Sequence, residues 1–256
     1  VLLEGRRIIV TGGAQGMGAA LVNAYAEVGA KVGYVDVQDR SEHAGTPAGV
    51  KVTGLAKFAR CDVTDKNSVT TAFGELAQEL GGLDVLVHLA GIMLHAKAED
   101  ITPDDWQRQM TVNTLGTLLT NQVAFTLLKE HGGAIINFAS GAGVRGFPGG
   151  GHYAASKAAV LGWSRSAAME WGPYGITVNA ICPGIDTPMA AAHRAGMTPE
   201  QRARTEQRLR EVTPIDGKLG DADRDLAPYL IYLASPGARF ITGQTLAVDG
   251  GRTMMR

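Results

Sequence analysis

Seven short β-rich runs, most of them nearly continuously apolar, alternate with longer segments of helical period, and this alternation restricts the fold more than any other feature of the chain. The runs are Arg7–Thr11, Lys31–Asp36, Ala56–Cys61, Leu83–Leu89, Ala134–Ala139, Ile176–Ile181 and Thr245–Val248. A strand with one wet face alternates apolar and polar residues. Most of these runs do not, so they read as strands covered on both faces. The spacing predicts helices over Met17–Val28, Lys66–Leu80, Pro103–Lys129, Ala154–Trp171 and Asp223–Ala234. Thr102 then Pro103 supplies a cap followed by proline at the first helical position. Strands and helices in turn predict an α/β fold, with one doubly wound parallel sheet and helices on both faces. Ligands of such sheets bind at the carboxyl ends of the strands, where the winding reverses.

Repeats, low-complexity tracts and composition breaks are absent, so residues 1–256 are expected to form a single domain. The stretch Arg40–Leu55, with Pro47 and three glycines, is the one weakly patterned segment. A net charge of −1 provides no global field for nucleic acid or anionic lipid. No apolar run approaches the ~18 residues that span a bilayer, and Val1–Gly5 does not read as a secretory leader. Cys61 and Cys182 lie far apart with no paired-ligand spacing. They read as small buried hydrophobes in a reducing cytoplasm.

Chemistry enters at Thr11-Gly12-Gly13-Ala14-Gln15-Gly16-Met17-Gly18, which joins the first strand to the first helix. Small residues let backbone approach a pyrophosphate, whose charge then rests on the free N–H groups of the helix start. Asp36 ends the second strand eighteen residues after Gly18, where a carboxylate can accept hydrogen bonds from adenosine ribose hydroxyls and repel a 2′-phosphate. It could also simply begin a turn. Gln15 brings no positive charge to the glycine loop, so NAD is the expected cofactor.

Tyr153 and Lys157 stand one turn apart on one predicted helix. An ammonium ~4 Å from a phenol favours the phenolate by about 4 kcal/mol, roughly three pKa units, at an effective dielectric of 20. Tyr153 could then serve as an acid/base near neutrality. Ser140 follows the strand Ala134–Ala139, where a hydroxyl can donate to a substrate oxygen; a serine there is also a common turn residue.

Taken together, Thr-Gly-x-x-x-Gly-x-Gly at 11–18, Cys61-Asp62-Val63, Val112-Asn113-Thr114, Ser140, Tyr-x-x-x-Lys at 153–157, Pro183-Gly184 and the closing run 241–251 resemble the short-chain dehydrogenases/reductases. The resemblance spans almost the whole chain. It implies a Rossmann-like fold and a hydride transferred between NAD(H) and a secondary alcohol or ketone, with an alicyclic, aromatic or steroid-like substrate among the candidates. It implies catalytic roles for Asn113, Ser140, Tyr153 and Lys157. Ser140 would polarise the substrate oxygen and Tyr153 exchange the proton. Lys157 would hold the nicotinamide ribose and lower the phenol, and Asn113 would support a water beside Lys157. Cofactor contacts would come from Gly12, Gln15, Gly16, Met17, Gly18, Asp36, Val37, Asp62, Val63, Ala90, Gly91, Tyr153, Lys157, Pro183, Gly184, Ile185 and Thr187. A homotetramer is the family's usual assembly.

Two places depart from the family pattern. His88-Leu89-Ala90-Gly91 replaces Asn-Asn-Ala-Gly, and Pro183–Thr187 is one residue shorter than the usual Pro-Gly-x-x-x-Thr. His88 is expected to supply hydrogen bonds rather than chemistry. His152 is expected to line a rim; His95 could enter the substrate pocket, although a surface loop is its simpler place. No histidine has metal-ligand spacing, so no metal is expected. Met189–Val212, rich in arginine and glutamate, reads as a substrate lid with a solvated face, or as a docking site for an anionic carrier. Phe147, Met189 and Met197 suggest an apolar part to the substrate pocket. A 3-oxoacyl-carrier reductase and a catalytically silent NAD-binding interaction protein are the alternatives. Asp36 argues against the first, and the intact Asn113, Ser140, Tyr153 and Lys157 against the second.

Overall fold

The computed structural model describes residues 2–38 and 56–255; the whole of the weakly patterned stretch Arg40–Leu55 lies outside them. Seven parallel strands form one sheet in the order β3-β2-β1-β4-β5-β6-β7. They are β1 (Arg7–Thr11), β2 (Lys31–Asp36), β3 (Ala56–Arg60), β4 (Val85–His88), β5 (Gly133–Phe138), β6 (Ile176–Pro183) and β7 (Thr245–Val248). The winding reverses between β1 and β4, which opens the ligand crevice of a Rossmann-like fold at their carboxyl ends. All seven expected strands are present, with ends moved by at most two residues.

Helices cover both faces. Against one, α1 (Gly16–Glu27) and α9 (Ala227–Ala234) bury Leu21, Val22, Tyr25, Leu230 and Leu233 on Ile8, Val10, Val85 and Ile136. Against the other, α2 (Lys66–Leu80) buries Val69, Phe73 and Leu76 on Ile9, Val35 and Leu86. There α4 (Gly116–Leu128) and α6 (Gly151–Trp171) contribute Ala124, Leu128 and Trp171 to the same core. Alternate side chains of each strand point to opposite faces, which is why both faces of the runs had to be apolar.

The helix expected over Pro103–Lys129 is divided. α3 (Pro103–Met110), started by Thr102 as predicted, passes into α4 through a π-helical turn at Thr111–Leu115. That wider turn carries Asn113 into the interior, where it is fully buried. Asp223–Ala234 is split in the same way, by a π-helical turn at Ala222–Leu226 before α9. A short helix that the sequence reading missed, α5 (Ala142–Arg145), follows β5. The arginine-rich segment forms α7 (Pro188–Ala195) and α8 (Pro199–Val212). No helix among the described residues is long and apolar enough to cross a membrane.

Candidate active site

The glycine loop is built for close approach. Gly12 has φ +67°, and a side chain on it would press the Ala90 amide at 3.0 Å, so β1 and the segment after β4 nearly touch. A side chain on Gly18 would collide with the Gly12 carbonyl. α1 begins after Gln15 with no side-chain cap and no acidic residue in its first turn. Its first N–H groups and dipole are therefore available to an anion. Asp36 accepts from the Val37 amide at 2.8 Å and the Ala14 amide at 3.3 Å, which ties β2 to the loop. A dinucleotide fits these residues: a cradle that tolerates no Cβ, a helix start, and a carboxylate at the end of β2.

Beyond β2 on the same side of the crevice, Asp62 turns the chain by accepting from the amide and hydroxyl of Thr64, and Val63 packs against Gly116. Pro183 ends β6, and Gly184 lies against Asp249 so closely that a Cβ would sit 2.6 Å from it. Ile185 is buried. Thr187 accepts from the Ala190 amide at 3.1 Å, so its hydroxyl caps α7 in the shortened segment.

The catalytic candidates converge at the end of β5. Lys157, only 6% exposed, donates to the Phe138 carbonyl at 2.7 Å, two residues before Ser140. Ser140 lies near enough to Tyr153 for its hydroxyl to favour the phenolate, and it accepts from the Ala142 amide at 3.1 Å. Asn113 uses both of its amide donors and one of its two acceptor sites. Its amide donates to the Ile92 carbonyl at 2.9 Å and to Ser156 at 3.0 Å, while its oxygen accepts from the Ile92 amide at 2.8 Å. Gly91 separates this group from the lysine: a side chain there would lie 3.1 Å from Asn113 Oδ1 and 3.5 Å from Lys157 Nζ.

The electrostatics differ from the expectation at one point. Burial raises the Tyr153 phenol above its ordinary value; the Ser140 hydroxyl opposes this, and Cys182 adds to it. Lys157 does not offset that burial, because its ammonium is directed at the Phe138 carbonyl and is itself lowered to about 8 by burial. Cys182 is raised to about 11 chiefly by burial.

His88 supplies hydrogen bonds, as its type suggested. Its Nδ1 lies 3.0 Å from the hydroxyls of both Thr11 and Thr120, and Thr11 in turn accepts from the Ala90 amide. The register aligns Thr11, His88 and Asn137 across three strands. Asn137 continues the buried polar layer through Asn121 and Ser164. Burial first, and the Lys157 charge second, lower His88 to about 3, so the ring is neutral.

One histidine assignment requires correction, and a second is refined. His152 is wholly buried rather than on a rim, and neither ring nitrogen has a hydrogen-bond partner. Its position in the first turn of α6 places it beneath that helix. His95 is exposed but packs edge-on to Phe147 at 5.8 Å, which meets Tyr153 edge-on at 6.3 Å. It therefore belongs to an aromatic wall beside the phenol. Met197 accepts from Thr205 within its own helical arm, and the Met189 side chain lies outside the described part. Gln109, overlooked in the sequence, is fully buried and grips Leu94 and Ile92 beside Asn113. Its signal was the four-residue spacing to Asn113.

A cradle for a dinucleotide beside a serine–tyrosine–lysine group defines a class of enzyme, and comparison with known proteins agrees. Residues 12–253 match the family model described as enoyl-(acyl carrier protein) reductase. The chain is 35% identical to the trans-4-hydroxycyclohexanecarboxylate dehydrogenase of Sinomonas cyclohexanicum, over 96% of this chain and 92% of that protein. It is 36% identical to the 3-oxoacyl-[acyl-carrier-protein] reductase of Vibrio cholerae, over 99% of each. A short-chain dehydrogenase/reductase from Serratia marcescens superposes with a TM-score of 0.85 at 30% identity, covering 99% of this chain and 100% of the other. The chain belongs to the short-chain dehydrogenases/reductases. It is an oxidoreductase of a nicotinamide cofactor and a small-molecule alcohol or ketone.

Proposed function

We propose an NAD-linked dehydrogenase of cyclic secondary alcohols, in which Tyr153 exchanges the hydroxyl proton. The observation that carries this reading is the meeting of Ser140, Tyr153 and Lys157 at the end of β5. The bound dinucleotide supplies the hydride acceptor or donor. Ser140, beside Tyr153, orients the substrate oxygen toward the phenol. Tyr153 is protonated at rest and can give that proton to a carbonyl; in the reverse direction it takes one from an alcohol. Lys157 is the cation that the nicotinamide ribose would draw from the Phe138 carbonyl toward the phenol. Asn113 positions the Ile92 backbone beneath it.

Asp36 supports NAD over NADP through its charge. The relative that acts on trans-4-hydroxycyclohexanecarboxylate, together with the aromatic wall of His95 and Phe147, supports a ring-bearing substrate. α8, which has no buried residue, is read with α7 as the cover over that ring. A homotetramer fits the exposed apolar side chains of Trp106, Leu115 and Met169, and a reducing cytoplasm fits two buried free cysteines.

The test is a panel of cyclic alcohols and ketones assayed with NAD(H) and NADP(H), with Tyr153→Phe as control. That variant should lose about 10²–10⁴-fold in turnover, with a much smaller loss of cofactor affinity. Near wild-type turnover by Tyr153→Phe would overturn the proton assignment.

A further inference from the structure

Beside Ser140 stands a cluster of positive charge that the hydride chemistry does not use. Arg145 ends α5, five residues after Ser140, and its Nε donates to the Thr253 hydroxyl at 3.1 Å. A side chain on Gly141 would lie 2.6 Å from that hydroxyl and 3.2 Å from a terminal nitrogen of Arg145. The guanidinium thus rests against the residue next to Ser140. Arg252 adjoins Thr253, and its Nε is buried without a hydrogen-bond partner. A third arginine, Arg208, comes from α8, whose following residues close on the same turn. There Ile215 donates to the Gly250 carbonyl at 3.1 Å, and Gly251 stands against Pro214.

Among the described residues no ion pair engages Arg145, Arg208 or Arg252. Asp249 is nearby, but its Oδ1 accepts from the Gly251 amide at 3.0 Å and the Arg252 amide at 3.1 Å, so it shapes the turn. Burial and the charges of Arg145 and Arg208 lower Arg252 below the usual guanidinium range, against the pull of Asp249. Arg145 and Arg208 are exposed, but Arg252 keeps a buried idle donor beside the Arg145 and Thr253 pair, so an anion arriving there would find donors that the protein leaves unused. Cofactor phosphates do not qualify. Their cradle is at β1, and β4, β5 and β6 separate it from β7, which leads into this turn. A guanidinium fork can hold a carboxylate through two parallel hydrogen bonds.

We propose that Arg145, Arg252 and Arg208 receive a carboxylate carried by the substrate, so that the secondary alcohol oxidised at Tyr153 belongs to a hydroxy acid. The inference rests on the dehydrogenase reading above. It adds a second point of attachment, which would fix the ring relative to Ser140.

The test compares an acid with its uncharged twin on the NAD-loaded enzyme: trans-4-hydroxycyclohexanecarboxylate against its carboxamide. The acid should be preferred about tenfold or more in kcat/KM. That acid-to-amide ratio should fall about tenfold in Arg145→Gln and by a smaller factor in Arg208→Gln, both of which change exposed side chains. A wild-type ratio near one, or a ratio unmoved by both variants, would overturn the proposal. Calorimetry of the same complex with cyclohexanecarboxylate and cyclohexanecarboxamide reads the subsite without turnover. If neither alcohol reacts, the cyclic-alcohol reading fails, yet tighter binding of the carboxylate to wild type than to Arg145→Gln still upholds the subsite. Absent or equal binding overturns it.

Discussion

The two halves of the crevice are made of different material. At the nucleotide half, recognition comes from backbone: Gly12, Gly16 and Gly18 between one strand and the next helix, with Asp36 bonded back to the loop. At the substrate half the proposed recognition comes from side chains drawn from distant segments: Ser140, Tyr153, Phe147, Arg145, Arg208 and Arg252. A backbone cradle can be varied little, since one added carbon closes it. A ring of side chains can be exchanged one at a time, which allows one fold to serve different alcohols.

The largest expected effect strikes the first half. Gly18→Ala places a Cβ against the Gly12 carbonyl and 2.9 Å from its carbon, where only backbone can yield. Cofactor affinity should fall by about two orders of magnitude, with a stability loss of about 1–3 kcal/mol. Fluorescence titration of NADH and thermal melts would measure both. An alanine variant with wild-type affinity would show that the cradle is more pliant than its geometry, and the contrast between the halves would weaken.

That contrast also governs what could be read from the sequence. Continuous apolar runs report double-sided burial directly in the inner strands. The edge strands β3 and β7 were legible from their place in the alternation although neither has a buried residue, and the glycine spacing reported the cradle. The π-helical turns at Thr111–Leu115 and Ala222–Leu226 were not legible, because one extra residue per turn leaves the apolar period nearly intact. Tyr153 and Lys157 were visible as a spacing, but where the ammonium would point depended on the Phe138 carbonyl, which no spacing encodes. His95 reaches the site only through Phe147, fifty-two residues later. The arginine cluster joins residues 145, 208 and 252, each unremarkable among its neighbours.

A smaller effect would sharpen the comparison within the nucleotide half. If Asp36 selects NAD, the wild type should prefer it over NADP by about tenfold in kcat/KM, equivalent to about 1.4 kcal/mol. Asp36→Ala should narrow that preference chiefly by weakening NAD. It also removes an acceptor for the Ala14 amide, so some loss should extend to NADP. Adding Val37→Arg at the half-exposed neighbour should narrow it further by attracting the 2′-phosphate. Equal use of both cofactors by the unmutated enzyme would remove Asp36 from this role; Arg40, outside the described residues, would then be the base to examine.

The smallest effect lies between the halves, at His88 beneath the crevice. Its neutral ring sits between Thr11 of the glycine loop and Thr120 of α4, lowered to about 3 by burial and by Lys157. In the unfolded chain the same imidazole takes up a proton near its ordinary value of 6.5. Between those two values the unfolded state binds more protons than the native one, so this residue makes stability fall as the medium becomes more acidic. Its contribution is complete above pH about 6.5 and is lost progressively down to pH about 3. The slope is at most about 1.4 kcal/mol per pH unit. His88→Asn cannot titrate, yet its amide can still meet the two threonine hydroxyls. Urea melts from pH 7 to pH 4.5 should therefore show a shallower decline for the variant than for the wild type. Parallel declines would mean that the ring carries its charge inside the fold. The buried polar layer would then owe its stability to groups other than a neutral imidazole.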